Sequence, residues 1–556
     1  MKRLKNFFSW RVLALALLGG IILATSCTKD FDKINTNPSA IARPGPAELP
    51  FLFSKAQSTA TQNGWNYQIS QNLFADEYAQ YFGCKATYFN TDRYYMRMDW
   101  VWAAFDPMYT DVVPQLQTIM TTYDPQSVGA DGLPDFTKFT TSESAIASIM
   151  WVHAFHQVTD YWGPIPYFKA GIAGTSVPYD AQDKIYDDFL KRLASAETIL
   201  KGKAGTNAFG NFDLIFGGDV NHWIKFANTL RLRLALRISA VDPARARTEA
   251  EAAVTEGVMT ASPGDDALIK RSNLGKGDFN GLSIMSPWDE FRMSASMESV
   301  LTGYSDPRLS IYFQPALATG TYEGLRNGLS VLDLGLPKHA PDALSHVGVR
   351  WSDYSTAPNP GTGNKLIKVP NPGEGLETPS NVMHAAEAYF LRAEGALNGW
   401  AMGGTPQTLY EAGITASMNQ WGITNAATIN AYIASTATPI PPNDHLNSPA
   451  MTNIPVAFSG TLATQKEQIA TQKWLALFPN GMEAWADFRR QHANLHLYPV
   501  PNSENSDIPA NSTTVWLRRI PFLDRETGRN AEGVKSGVTE LGGLDKVTTP
   551  LWWDKN

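Results

Sequence analysis

The chain has 556 residues, of which 43% are hydrophobic and 11% aromatic, and its formal net charge is −7. This length is enough for one large domain or two fused domains with a substantial buried core. No run of basic residues follows the N-terminal segment, so we do not expect the protein to bind nucleic acid. The abundance of tryptophan and tyrosine, together with 43 glycines and 35 prolines, is typical of aromatic-bearing loops.

The N-terminus has the three parts of a secretory signal peptide. Basic residues are followed by an apolar stretch at 12–24 and by small residues that end at Cys27. We predict a signal peptide over 1–26 and lipidation of Cys27, the alternative being cleavage near Ala24 with an incidental cysteine. Cys84 is the only other cysteine, so acylation of Cys27 would rule out a disulfide framework.

Composition divides the mature chain into four parts. Residues 27–50 are polar and turn-rich, as expected of a tether. Helical periodicity dominates 51–260, and in the segment 222–238 it places Trp223, Ala227, Leu230, Leu234 and Ile238 on one face. Residues 261–380 have glycine, proline and asparagine clusters without a helical period, which predicts a loop-rich subdomain.

Helical patterns return over 381–556, where they alternate with long loops. An alanine-rich helix from Asn381 and a second helix over 409–418 predict a closely packed hairpin of the tetratricopeptide type. The stretch 424–463 is predicted to be a loop, and 474–490 a final helical segment. The predicted fold is therefore mostly α, with a helical-repeat body and a loop-rich subdomain.

Catalytic and metal motifs are scarce. The chain has no Gly-x-Ser-x-Gly, His-Glu-x-x-His, phosphate-loop or Cys-x-x-Cys pattern. His153, His156 and Asp160 have a spacing that zinc sites use, but their apolar neighbours in the same helix favour a packed, structural role. We predict a binding protein that is not an enzyme and has no metal or cofactor.

Aromatic residues interleaved with amides and charges are typical of sugar-binding loops, because a flat ring stacks on the C–H face of a pyranose while polar groups bond its hydroxyls. Such side chains concentrate near 63–68, 90–102, 288–292 and 350–354. The polar surroundings favour Trp65, Tyr67, Trp351 and Tyr354, whereas core packing is the alternative for the others. The predicted ligand-binding residues are Trp65, Tyr67, Tyr94, Tyr95, Trp100, Trp288, Arg292, Trp351 and Tyr354.

Six ordered segments resemble the SusD/RagB family of surface lipoproteins in Bacteroidetes. The start after Cys27 is similar to the family's lipidated N-terminus, and 160–167 resembles its aromatic-Gly-x-Ile-Pro-Tyr turn. The other similar segments are 226–238, 285–309, 388–394 and 483–490. Together they cover nearly the whole mature chain.

The resemblance implies a tetratricopeptide-like helical body and an outer-membrane, cell-surface location. It also implies capture of an oligosaccharide that is passed to a SusC-like TonB-dependent transporter. Three alternatives stay open: capture of peptides, as in RagB-like proteins, a surface glycosidase that uses two carboxylates, and a protein-binding scaffold or adhesin.

Overall fold

The structure is a computed structural model that describes residues 44–555, except 63, 173, 175, 273, 275, 276 and 352–373. The chain divides into two compact units, 1–49 and 50–556, and the fold described below is that of the second unit. Cys27, Tyr354 and the predicted signal peptide lie outside the described residues. The predicted boundaries at 260 and 380 stay predictions.

The predicted fold class is confirmed, because α-helices make up most of the regular structure. In chain order the helices are α1 (Leu49–Ala60), α2 (Trp102–Pro107), α3 (Val113–Tyr123), α4 (Ser142–Trp162), α5 (Gln182–Lys201), α6 (Val220–Arg237), α7 (Pro243–Glu256), α8 (Gly281–Met285), α9 (Ala295–Gly303), α10 (Leu309–Tyr312), α11 (Val331–Leu334), α12 (Ala385–Leu397), α13 (Pro406–Gln420), α14 (Ala426–Ile433), α15 (Leu462–Leu477), α16 (Gly481–Arg490), α17 (Asp524–Arg529) and α18 (Ala531–Leu541).

Shorter helical turns connect these helices. Two are π-helical, Gln68–Asp76 and Met108–Val112. The 3₁₀ turns are Thr91–Arg93, Pro125–Ser127, Phe136–Lys138, Gly210–Phe212, Ser286–Trp288, Pro337–His339, Pro341–Ala343 and Glu374–Glu377. Among the residues that the structure describes, no helix has both the length and the apolar character needed to cross a membrane.

Four short strands join distant parts of the chain. Strand β1 (Phe82–Cys84) pairs antiparallel with β3 (Phe291–Met293), and β2 (Ala267–Ile269) pairs antiparallel with β4 (Ser380–Met383). In the first pair Phe82 faces Met293 and Cys84 faces Phe291. The predicted loop-rich segment is therefore joined by backbone hydrogen bonds to the predicted helical segment before it.

Consecutive helices from α3 to α7 pack against one another, as in a helical-repeat protein. Helix α6 begins at the cap Asp219, whose carboxylate accepts the backbone N–H groups of residues 221 and 222. Its predicted stripe is confirmed: Trp223 and the four other residues of that stripe are all buried. Burial extends around the helix to Arg233 and Arg237, so α6 lies in the interior of the repeat array.

Two buried ion pairs fasten α6 to later helices. Both guanidinium nitrogens Nε and Nη2 of Arg233 donate to Glu387 of α12, at 2.7 and 2.6 Å. Arg237 donates to Glu483 of α16 at 2.6 Å. Removing one member of such a buried pair leaves an uncompensated charge, so these contacts tie the two helical regions of the chain together.

The predicted hairpin of α12 and α13 is present, with one correction at its start. Residues 380–383 form strand β4, and the helix begins at Ala385 rather than Asn381. The two helices approach closely at Gly413, where an added Cβ would lie 2.8 Å from the ring of Phe390. A small residue at this point is what allows the close packing.

The C-terminal region is more helical than the sequence pattern predicts. The predicted segment 474–490 corresponds to the end of α15 and all of α16, separated by residues 478–480, and α15 begins earlier, at Leu462. Helix α14 lies within the stretch predicted as a loop, and α17 and α18 follow the segment predicted to be last. Proline at 479 explains the break, because it cannot donate a helical backbone hydrogen bond.

Candidate functional site

Trp65 lies on a short loop between α1 and the π-helix, held close to the loop around residue 277. Gly64 has φ 55°, and an added Cβ would lie 2.7 Å from the carbonyl oxygen of Gly277. Its N–H donates to the carbonyl of Phe279 at 3.1 Å. Glycine at position 64 therefore allows both the left-handed turn and the close approach that place Trp65 at the surface.

The rings of Trp65 and Trp288 stack on each other at the surface. Their centroids are 5.5 Å apart and their planes differ by 9°, which is an offset parallel arrangement. Trp65 is 59% exposed, and Trp288 is half-buried. One face of Trp65 is thus supported from within the protein, while much of the side chain stays accessible to solvent.

Trp288 ends a 3₁₀ turn that leads directly into β3. The next residue, Asp289, has φ 64° and reverses the chain direction. Glu290 then extends the ladder of β1 and β3, since its carbonyl accepts the N–H groups of Lys85 at 2.8 Å and Ala86 at 3.2 Å. The short sheet therefore fixes the position from which Trp288 projects.

The Glu290 side chain connects the segments that carry the tryptophan pair to a third aromatic residue, Tyr88. Its carboxylate accepts the Tyr88 hydroxyl at 2.7 Å and the side-chain amide of Gln68 at 2.5 Å. Burial raises the pKa of Glu290 above its ordinary value, whereas these two hydrogen bonds act in the opposite direction. Tyr88 is 65% exposed. The hydrogen bonds of Glu290 therefore hold a third aromatic ring at the surface, next to polar groups.

Further along the same loop, Trp100 is covered by a cation. The Arg97 guanidinium lies 3.3 Å from the ring centroid of Trp100 and pairs with both oxygens of Asp99 at 2.9 and 2.7 Å. The other contact of the ring is an edge-on packing against Phe89 at 5.3 Å. Phe89 packs in turn on Tyr88 at 4.6 Å, which connects Trp100 to the Tyr88 surface.

Tyr94 and Tyr95 differ in their surroundings. Tyr94 has φ 65°, is half-buried and packs edge-on against Tyr78 at 6.1 Å. Its carbonyl accepts the side-chain amide of Asn505 at 3.3 Å. Tyr95 is 46% exposed. Of these two predicted ligand-binding residues, Tyr95 presents more surface.

Tyr67 and Arg292, predicted to contact ligand, have their side chains in the interior. Tyr67 is 7% exposed, and its hydroxyl donates to Asp76 at 2.8 Å. Arg292 is 2% exposed, donates to the Asp289 carboxylate and has its pKa lowered to about 9 by burial. Both side chains are therefore occupied in supporting the loops that present Trp65 and Trp288.

Trp351, another residue predicted to contact ligand, is buried. Trp351 is 2% exposed and its ring packs on Trp421 at 5.6 Å and Phe478 at 5.7 Å. These partners directly follow α13 and α15, and their contacts bury the indole. Trp351 also lines a small cavity of about 40 Å³, together with Tyr67.

Three contributors to the site were not among the predicted residues: Gln68, Tyr88 and Glu290. Gln68 and Tyr88 are close in sequence to Trp65 and to the 90–102 segment, which is the signal that could have indicated them. Glu290 lies within the 288–292 segment, but its role was not predicted because it depends on contacts with two segments more than 200 positions earlier in the chain. We call the set Trp65, Gln68, Tyr88, Trp288 and Glu290 the tryptophan platform.

The histidine cluster on α4 has cationic neighbours. The Nδ1–H of His156 faces the carbonyl of Val152 at 3.2 Å, and its Nε2 lies 3.4 Å from the Arg233 guanidinium. Burial, followed by neighbouring positive charge, lowers the pKa of both His153 and His156. Across the described ranges, no group of three or more histidine, cysteine, aspartate or glutamate side chains is arranged to hold a metal ion.

Several solved structures have the same fold as this chain. A chitin-binding SusD homologue from Flavobacterium johnsoniae has 33% sequence identity and a TM-score of 0.76, with 91% of this chain and 98% of that chain covered. SusD homologues from Bacteroides uniformis and Bacteroides vulgatus have 28% and 30% identity and TM-scores of 0.77 and 0.75. Both matches cover 91% of this chain, and 99% and 97% of the respective homologues.

No curated protein matches the chain. The sequence family described as SusD-like, Susd and RagB outer membrane lipoprotein, matches residues 48–554. That range includes the helical body, both strand pairs and every residue of the tryptophan platform. With residues 48–554 matched in sequence and 91% of the chain matched in fold, this protein belongs to the SusD-like family.

Proposed function

We propose that this protein binds oligosaccharide at the cell surface through the tryptophan platform and makes or breaks no bond in it. The stacked and exposed pair of Trp65 and Trp288 is the observation that carries the proposal. A supported, flat indole face complements the apolar face of a pyranose ring. The Tyr88 hydroxyl and the groups around Glu290 supply polar contacts for sugar hydroxyls at the edge of that face.

Oligomers of N-acetylglucosamine are the first ligands to test. One relative with 33% identity over nearly its whole length is a chitin-binding protein. A second matched structure, at 26% identity, is also a chitin-binding protein. The shared fold favours the same class of ligand, while the side chains of the platform decide which oligosaccharide binds.

Calorimetric titration of the mature chain, beginning after residue 27, tests this proposal with chito-oligosaccharides, other plant and host glycans, and peptide mixtures. Saturable heat from a glycan without any new reducing ends is the expected result, since binding leaves the ligand intact. Release of product would instead establish a glycosidase. Heat from peptides alone would contradict the glycan proposal and favour RagB-like peptide capture.

We further propose that the protein is lipidated on Cys27, held in the outer membrane, and paired with a SusC-like TonB-dependent transporter. The family name and the Cys27 signal support this location. Replacing Cys27 with alanine should release the protein from membranes in cells that lack the transporter, because the acyl chains supply the anchor. Retention of the variant in those membranes would contradict the anchor, and failure of the wild-type protein to co-purify with a transporter would contradict the pairing.

A further inference from the structure

A cleft in the helical body has the features of a second ligand site. It has a volume of about 540 Å³ and lies between α3, α4, α5 and the turn that follows α4. None of its lining residues belongs to the tryptophan platform. The volume falls in the range of roughly 300–1,000 Å³ that small-molecule sites occupy. Its lining residues include Phe136, Trp151, Tyr167, Phe168 and Arg192.

Aromatic rings form one wall of this cleft. Phe168 is 43% exposed and packs edge-on against Tyr167 at 5.0 Å. Its backbone N–H donates to the Asp180 carboxylate at 2.9 Å, so the position of the residue is fixed independently of its ring. Phe136, half-buried on the opposite loop, lies 4.6 Å from the Arg192 guanidinium. The cleft therefore offers flat apolar surfaces at its opening.

Two buried donors line the same cleft. Trp151 is 5% exposed, and its Nε1–H forms no hydrogen bond of acceptable geometry. The same holds for Nη1 of Arg192. Both donors face the Tyr167 hydroxyl at poor hydrogen-bond geometry, and that hydroxyl itself donates to Asp188. A buried donor whose hydrogen bond has poor geometry is costly, and an acceptor oxygen on a bound molecule would satisfy it better than the Tyr167 hydroxyl does.

The charges around the cleft favour a neutral ligand. The Nε of Arg192 pairs with the Asp188 carboxylate at 2.5 Å, which neutralises the guanidinium. Asp131 adds negative charge at the rim, where Asp135 is paired with Lys138 at 3.3 Å. A free anion would meet these carboxylates, whereas hydroxyl or amide oxygens could accept from Trp151 and Arg192 without a charge penalty.

We propose that this cleft is a second sugar-binding site, separate from the tryptophan platform. One pyranose ring stacks on Phe168 while its hydroxyl or acetamido oxygen accepts hydrogen bonds from Trp151 and Arg192. The proposal rests on the proposed function, because it assigns the same class of ligand to both sites. It differs in predicting that sugar binds to the cleft when the platform is destroyed.

Indole N–H signals in a ¹⁵N spectrum of the mature chain can report on both sites in one titration. Trp151 is assigned by the loss of its signal in Trp151→Phe, and Trp65 and Trp288 by the corresponding variants. Adding N,N′-diacetylchitobiose should move the Trp151 signal saturably, since a hydrogen bond to its Nε1–H changes the shielding of that proton. The same movement is expected in a Trp65→Ala, Trp288→Ala double variant.

In Phe168→Ala, the affinity for N,N′-diacetylchitobiose read from the Trp151 signal should fall by about fivefold or more, because a contact with the sugar ring is lost. Phe51→Ala is the matched control, because Phe51 is also an exposed phenylalanine and lies outside the cleft. An unmoved Trp151 signal, or one lost with the platform variants, overturns the second site. Unmoved signals from Trp151, Trp65 and Trp288 together overturn the proposed function with this ligand as well.

Discussion

The stacked pair of Trp65 and Trp288 predicts a specific pattern of energetic coupling. If Trp65 contacts a sugar with its exposed face, Trp65→Ala removes that contact and should weaken binding by about 2 kcal/mol, or roughly 30-fold. Trp288→Ala removes the support at 5.5 Å on the other face. The stacking between such rings contributes about 0.5–1.5 kcal/mol, so this variant should lose about 1 kcal/mol of binding free energy by freeing the Trp65 side chain.

The double variant distinguishes one platform from two independent contacts. Once Trp65 is absent, Trp288 has nothing left to support, so the double variant should bind about as weakly as Trp65→Ala alone. Calorimetric titration of all four proteins with the identified glycan measures this cycle. Full additivity of the two losses, or unchanged affinity in a folded Trp65→Ala protein, would refute the reasoning. Trp516→Ala is the control, because Trp516 is also half-exposed and stacked, on His492 at 3.5 Å.

Three further substitutions test the platform and the interior. Glu290→Gln leaves one acceptor oxygen for two donors, so titration should show about fivefold weaker glycan binding. Glu387→Ala leaves Arg233 buried without its main partner and should lower the free energy of unfolding in urea by about 3 kcal/mol. Burial raises the pKa of Glu298 to about 7, so its contribution to stability is largest below about pH 4.3 and is lost as pH rises through 7. Glu298→Gln should therefore flatten the decline in thermal stability between about pH 5 and 8.

Matched variants separate these effects from general damage. Glu411→Gln removes a carboxylate that also accepts a glutamine amide, at 2.8 Å, but on α13; it should leave both glycan affinity and the pH profile unchanged. Glu251→Ala breaks an exposed pair with Arg247 and an exposed hydrogen bond from the Ala401 N–H and should cost about 1 kcal/mol or less. Equal losses in Glu251→Ala and Glu387→Ala would contradict the importance of the buried pair. A pH profile that keeps its slope in Glu298→Gln would contradict the role of that carboxyl.

The helical body was predictable because its information is local. The apolar stripe around Trp223 and the small residues of the α12–α13 hairpin follow from spacing alone, and the structure has both. The predicted ends of helices were less accurate where one proline or one strand pairing stops a helix. Pro479 divides one predicted helix into two, and residues 380–383 pair with β2 instead of joining α12.

The exposure of individual aromatic residues was not predictable in the same way. Trp65 and Trp351 have similar polar, turn-rich neighbours in sequence, yet one is 59% and the other 2% exposed. The difference comes from Trp421 and Phe478, which are distant in sequence and cover Trp351. Glu290 shows the same dependence, since its two partners, Gln68 and Tyr88, are more than 200 positions away in sequence. Tyr354 and Cys27, outside the described residues, stay predictions.

Glu290 contributes to the molecule in two separable ways, and this has a consequence for how the binding site can diversify. Its backbone carbonyl continues the β1–β3 ladder whatever side chain stands at this position, while its carboxylate organises Tyr88 and Gln68. Side-chain exchange at 290, 88 and 65 can therefore change the chemistry of the surface without disturbing strand register. New ligand preferences could be selected, in evolution or in a laboratory library, by varying these three codons on an otherwise unchanged scaffold.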